Sequence, residues 1–306
     1  MDNRDDIREF LASRRARITP QQAGLVAYGR NRRVPGLRRE EVAMLAGVSI
    51  DYYTQLERGK LSGVSESVLD AVGQALHLDE AERAHLFDLA RAANGSSHAR
   101  RQPRQHRHEV RPGLRRILDS MTEAPAFIRN GRLDVLAANR LGRALYAPLF
   151  DSPAQPPNTA RFKFLDTAAA MDFFPDWEES VNTTVALLRT EAGRDPYDRG
   201  LSDLVGQLST RSELFRARWA AHNVRLHQTG VKRFRHPVVG ELTLAFEAMD
   251  LTADPGLTLT VYTAEPSSPS HDALRLLASW AATLDQAAEG EGTASAAGPA
   301  RDTHDR

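Results

Sequence analysis

Between Asn94 and Arg111 the chain reads NGSSHARRQPRQHRHEVR, with five Arg, three His and no branched aliphatic side chain before Val110. Such a stretch has nothing to bury, so it separates two segments that must each build a core of their own. The 306 residues, 41% hydrophobic and 26% charged, supply enough apolar material for two domains at roughly 100–200 residues each. The predicted organisation is a first domain over 1–93 with its core at 37–84, a basic linker over 94–111, and a second domain over 112–286. A disordered tail is predicted over 287–306, where EGEGTASAAGPARDTHDR is small and polar.

The first segment has helical periodicity. Ile7, Phe10 and Leu11 fall at i, i+3, i+4, and so do Val42, Leu45 and Ala46. Gly47-Val48-Ser49 interrupts the second stripe, and Ser49 is a good N-cap for a helix holding Tyr53 and Leu56. Gly59 suits a left-handed helix terminus, while Ser65 and Asp79 can cap two further helices. Five short helices in about 90 residues make an all-α domain.

After the linker the pattern becomes mixed. Asn130-Gly131 lies between Ala126–Arg129 and Arg132–Leu136, which predicts a hairpin with a two-residue type I′ turn. Asn139 can cap a short helix, and helical segments are expected around Trp177–Arg189, Leu201–Leu208 and Ser212–Ala221. Strands follow at Val231–His236, Glu241–Asp250 and Leu257–Thr263, then a helix from Ser270 to about Leu284. The fold class is therefore α+β: an all-α first domain and a second with a five-stranded antiparallel sheet and helices between its strands.

Charge and missing residue types narrow the function. The net charge is zero, yet residues 1–116 hold 21 Lys and Arg against 15 Asp and Glu, and the remainder 19 against 25. One end is suited to approach anions. Without cysteine there is no disulfide, thiolate zinc site or cysteine nucleophile, which points to a cytoplasmic protein; no signal-like or membrane-spanning run is seen. G-x-S-x-G, H-E-x-x-H, G-x-x-x-x-G-K-[ST] and G-x-G-x-x-G patterns are also missing, so neither catalysis nor a cofactor or metal is expected.

Leu37 to Gly59, LRREEVAMLAGVSIDYYTQLERG, is two helices of equal length joined by a glycine-containing turn, a helix-turn-helix. Ala43 and Ala46 allow close approach, and Val48, Tyr53 and Leu56 face the shared core. Ile50, Asp51, Tyr52, Thr54 and Gln55 are left pointing outward at the start of the second helix, where such a helix meets base edges.

This segment resembles the Xre/Cro-type helix-turn-helix of phage repressors. More closely, VPGLRREEVAMLAGVSIDYYTQLERGK resembles the MmyB-like transcriptional regulators of actinobacteria. Trp177, SELFRARWAAH over 212–222, His236-Pro237-Val238-Val239-Gly240 and Val261-Tyr262-Thr263-Ala264-Glu265-Pro266 resemble the same family's C-terminal ligand-binding domain, which is PAS-like. The resemblance implies that Ile50, Asp51 and Gln55 occupy base-contacting places; phage repressors often carry Gln there, so Ile50 and Asp51 are departures. Gln55 can pair with adenine, Asp51 can accept from cytosine, and Ile50 or Tyr52 can touch a thymine methyl. Arg38 and Arg39 are expected on phosphates, with Arg58 and Lys60 as further candidates. Glu57 is expected to be a structural partner of an Arg from the preceding helix rather than a DNA residue.

The expected partners are double-stranded DNA, a second copy of the chain in a homodimer, and a small apolar or fatty-acid-like ligand. Candidate pocket walls are Phe127, Leu244, Phe246, Val261, Trp177 and Trp219, with His222, Arg225 or His236 as polar anchors. The rival readings are a second domain that only dimerises, and an enzyme with a DNA-binding appendage.

Overall fold

In a computed structural model the described residues are 3–25, 34–95, 109–152, 155–221 and 228–296. The first domain consists of α1 (Asn3–Arg17), α2 (Arg39–Leu45), α3 (Ile50–Glu57), α4 (Glu66–Ala75) and α5 (Glu80–Gly95). Most of the apolar stripe residues converge: Ile7, Phe10, Leu11, Val42, Tyr53, Leu56, Leu69, Val72, Leu86 and Leu89 form one buried cluster, whereas Leu45, expected in the second stripe, is exposed at the end of α2. Three polar side chains begin helices by accepting backbone N–H groups: Ser49 from Tyr52, Ser65 from Val68 and Asp79 from Glu82.

The second domain runs α6 (Pro112–Ser120), β1 (Ala126–Asn130), β2 (Val135–Ala138), α7 (Arg140–Leu145), α8 (Ala147–Phe150), α9 (Thr159–Leu165), α10 (Thr167–Phe173), α11 (Trp177–Arg194), α12 (Arg199–Arg211) and α13 (Glu213–Trp219). It ends with β3 (Thr229–His236), β4 (Gly240–Asp250), β5 (Leu257–Thr263) and α14 (Pro269–Ala296). Its sheet is antiparallel throughout, in the order β2-β1-β5-β4-β3, which makes the whole chain α+β as expected. On one face Phe127, Phe234, Leu242, Leu244, Phe246 and Tyr262 pack against α7, α10 and α14. The reverse face buries Ala126, Ile128, Ala137, Leu257 and Leu259 with Leu118 of α6. Helices α9, α11, α12 and α13 share a third cluster around Val181, Val185, Leu188, Leu204 and Phe215.

Asn139 ties the start of the sheet to α7. Its Oδ1 accepts from the Ala126 and Gly142 amides at 3.0 and 2.7 Å, and its Nδ2 donates to the Met121 and Ala124 carbonyls. All four polar positions of this buried amide are used, so it fixes the chain entering β1 as well as capping a helix.

Two local expectations need correction. Asn130-Gly131 does mark a hairpin, but the Leu133 amide donates to the Asn130 carbonyl and the Asn130 amide to the Asp134 carbonyl, with Leu133 at φ +66°. This is a three-residue turn with a left-handed third residue instead of a type I′ pair. A Cβ at Gly131 would lie 2.2 Å from Glu191 Cδ, so the end of that side chain would have to move. The last helix passes the expected end near Leu284 and continues to Ala296.

Candidate DNA-reading face and ligand cavity

Glycine conformation builds the turn between α2 and α3. Gly47 has φ +65°, its amide donates to the Met44 carbonyl, and the Val48 amide donates to the Ala43 carbonyl. After α3, Gly59 has φ +85°, and its Cα approaches α1 so closely that a Cβ would lie 2.7 Å from the Arg4 carbonyl oxygen. Both constraints hold α3 at one angle against the domain.

On that helix Ile50, Asp51 and Tyr52 are exposed, Thr54 and Gln55 are half-buried, and Tyr53 and Leu56 are buried beneath them. Of the five residues expected at base edges, Ile50, Asp51 and Tyr52 face outward, and Thr54 and Gln55 are partly covered. Gln55 Oε1 is covered and accepts no hydrogen bond among the described residues. Met44 is also 62% exposed, next to the turn. Spacing does not reveal it, because Met44 falls between the buried stripe positions of a seven-residue helix.

Glu57 is buried, with both oxygens occupied. Arg15 Nε and Nη2 donate to its two oxygens at 2.9 Å, and Arg39 Nε and Nη2 donate to Oε1 at 3.1 and 2.9 Å. Burial would raise its carboxyl, but the hydrogen bonds from Arg15 and Arg39, reinforced by their charges, hold it below the usual carboxylate range. Arg39 of the preceding helix is therefore one structural partner, as expected, and Arg15 of α1 is a second that sequence spacing did not suggest. Arg38 immediately precedes α2, with its amide donating to Glu41 Oε2 and its guanidinium 3.3 Å from Glu40. Arg58 and Lys60 are exposed.

The second domain has a cavity between its sheet and α9 and α11. Phe127, Arg129, Lys232, Phe246, Thr260 and Tyr262 line it from the strands, and Lys163, Phe174, Ser180, Thr183, Thr184 and Leu187 from the helical side. Lys163 Nζ donates to Thr184 Oγ1 at 2.8 Å and to the Ser180 carbonyl at 3.3 Å, while Lys232 Nζ is 3.2 Å from Tyr146 Oη. Both ammonium groups lie over the Phe174 ring, at 5.0 and 4.7 Å from its centroid. Burial lowers the Lys232 pKa to about 8, helped by the Arg129 charge, and pushes Lys163 well below its ordinary range, helped by Lys232 and Arg129. Arg233, paired with Asp176, and Glu179 also line the space, so four cationic and two acidic side chains share it; among the described residues neither lysine has a carboxylate hydrogen-bonded to it.

Several residues expected at the pocket lie elsewhere. Phe127 and Phe246 do line the cavity. Val261 belongs to the reverse face with Leu257 and Leu259, because β5 is buried on both sides and its cavity side carries Thr260 and Tyr262. Leu244 packs in the core beside α14 instead of lining the space, and Trp177 bridges two apolar clusters. Trp219 stacks on Phe215 at 5.5 Å and lies outside the cavity. His236 is a structural residue: Nε2 bonds the Ala144 carbonyl at 2.9 Å and Nδ1 accepts from the Val238 and Val239 amides, which fixes a neutral tautomer. Burial lowers its pKa, although the Ala144 bond opposes this. His222 and Arg225 lie outside the described residues. Lys163, Lys232 and Arg129 were missed as anchors, although rarity offered a signal: the chain has 37 Arg and only three Lys.

No helix among the described residues is long and apolar enough to cross a membrane, and no three His, Asp or Glu among them could together hold a metal ion. No curated protein matches the chain. Residues 7–86 match a helix-turn-helix domain and residues 110–277 match the MmyB-like transcription regulator ligand binding domain; with more than half its length in the second match, the chain belongs to the MmyB-like transcription regulators.

Proposed function

We propose that the protein is a transcription regulator that reads duplex DNA with the outer surface of α3 and binds a small organic acid in the cavity of its second domain. The observation that carries the DNA reading is the joint exposure of Ile50, Asp51 and Tyr52 on a helix whose other side is fixed by Tyr53, Leu56 and Glu57. Gln55 serves adenine N6/N7, and Thr54 and Tyr52 complete the base-facing set. Arg38, Arg58 and Lys60 meet phosphates; Arg39 does so only with the part of its guanidinium that Glu57 leaves open. Two copies on a pseudo-palindrome, with half-sites about 34 Å apart, supply the contact area that one small module lacks.

For the ligand, Lys163 and Lys232 point to an acidic group, and Phe127, Phe174 and Phe246 to an apolar body beside it. An acid with a hydrocarbon chain fits both demands. The expected apolar ligand thereby gains a charged end.

The test begins with duplexes selected from random sequence. Gln55→Ala is expected to cost about 1–3 kcal/mol at one base pair, whereas Arg58→Ala weakens all sequences alike and lowers the salt dependence by about one unit of slope. Equal losses on selected and random DNA for Gln55→Ala would exclude base reading. Decanoate is expected to bind more tightly than decanol, and Lys163→Met to remove that difference. Sedimentation of the protein on its selected duplex is expected to show two protomers.

A further inference from the structure

Helix α11 carries three different surfaces. Ser180, Thr183, Thr184 and Leu187 line the cavity, and Val181, Val185, Leu188 and Ala192 join the helical cluster. At 3.6 residues per turn, Arg189 lies roughly 180° around the helix from Ser180 and about 14 Å along it. That third side meets the DNA-reading domain.

The contact is buried and specific. Arg189 is 3% exposed; its Nη1 is 3.1 Å from Asp6 of α1, its Nη2 donates to the Trp219 carbonyl at 2.5 Å, and its guanidinium lies 3.9 Å from the centroid of the Trp219 ring. Burial raises the Asp6 carboxyl even with Arg189 beside it. Four residues further on, Gly193 accepts the buried His85 ring of α5 so closely that a Cβ would lie 2.5 Å from it. Arg194 is 3.6 Å from Asp88 on the same helix. A buried ion pair contributes more to geometry than to affinity, and a ring seated on a glycine permits little sliding. The docked arrangement still leaves Ile50 and Tyr52 exposed, so docking orients the reading surface without covering it.

The cavity side of α11 is tied to Lys163, which is bonded to both Thr184 and Ser180. An anion that draws this ammonium group toward itself pulls on the helix at that point. We propose that α11 is the coupling element of this regulator: it senses cavity occupancy on one side and sets the docking of the DNA-reading domain on the other, through Asp6–Arg189 and His85–Gly193. The inference rests on reading the cavity as the ligand site. It requires reciprocity, so DNA that favours one docked arrangement must alter ligand affinity by the same factor.

The experiment follows backbone hydrogen exchange of residues 3–17 and 80–95 in the full chain. Two perturbations are used: saturating decanoate, and the cavity-filling substitutions Thr183→Leu and Thr183→Phe, which need no ligand. Each is expected to change exchange in these segments at least threefold in the otherwise wild-type chain, and to leave it unchanged in Arg189→Met. Arg189→Lys, which keeps the charge but loses the planar contact with Trp219, is expected to give an intermediate response. If decanoate fails to bind while the filling variants still act across Arg189, the ligand assignment falls and the coupling stands. If both filling variants leave α1 and α5 unchanged, or change them equally in Arg189→Met, the coupling is refuted.

Discussion

Replacing Glu57 by Gln tests how the helix-turn-helix domain is held together. The side chain is 2% exposed and accepts four N–H groups, two from Arg15 and two from Arg39. The two arginines differ: the Arg15 side chain is 16% exposed and Arg39 is 52% exposed. Removing one partner of a buried pair costs about 3–5 kcal/mol, since the other charge is left uncompensated, whereas an exposed pair contributes about 0–1 kcal/mol. The Gln carbonyl still accepts one or two of the bonds, each worth about 1 kcal/mol, so the expected net loss is about 2–3 kcal/mol. A domain of this size has a total stability of about 5–13 kcal/mol, so the change is large. All three tryptophans lie in the second domain. Urea unfolding followed by far-ultraviolet circular dichroism should therefore show an earlier first transition, while the tryptophan transition stays in place. The pH dependence follows from the lowered Glu57 pKa. Its contribution is complete above the unfolded carboxyl value, about 4.3, and is lost as pH falls through the lower folded value. Glu57→Gln should lack that acid-dependent component. A loss below about 1 kcal/mol, or an Arg39→Gln loss equal to that of Arg15→Gln, would refute this account.

Three further outcomes are expected. Gly59→Ala places a Cβ 2.7 Å from the Arg4 carbonyl in a left-handed conformation, and should destabilise the first domain by about 2 kcal/mol or more in thermal unfolding. Asn139→Ala leaves the Ala126 amide and the Met121 and Ala124 carbonyls without that partner, and a loss of about 2–4 kcal/mol in the second domain is expected by denaturant titration. Decanoate affinity, measured calorimetrically, should fall as pH rises through about 8, where Lys232 loses its proton; Lys232→Met should remove that dependence.

The first domain was legible because each of its rules is local. Ser49, Gly47 and Gly59 announce a cap, a turn and a terminus within a few residues of where they act, and the i, i+3, i+4 stripes found their core except at Leu45, where α2 ends and the side chain is exposed. The second domain was legible as a set of strands, with β5 at its observed bounds, but its cavity was not. Alternation in β5 cannot say which set faces inward when both faces are buried, so Val261 was assigned to the wrong side. His236 looked like an anchor because a histidine beside a turn offers two ring nitrogens; three backbone groups already use them. The Asp6–Arg189 contact joins residues 183 positions apart, and no spacing rule connects them. Trp219 likewise has its role from a partner on another helix, the Arg189 guanidinium over its ring.

The cavity uses lysine in a chain that otherwise uses arginine. Of the three lysines, Lys60 is exposed just past α3, and Lys163 and Lys232 both face the same interior space. A guanidinium stays protonated in any folded protein, but an amine can shed its proton and become a nucleophile. In DNA-free protein, amine-selective acylation therefore divides the chain into two reporters: Lys60 serves as an internal reference, and the interior pair reacts in proportion to its access and its neutral fraction. Two modified peptides, quantified against the third, give a direct chemical measure of how full the interior is, on unlabelled protein taken from any growth condition.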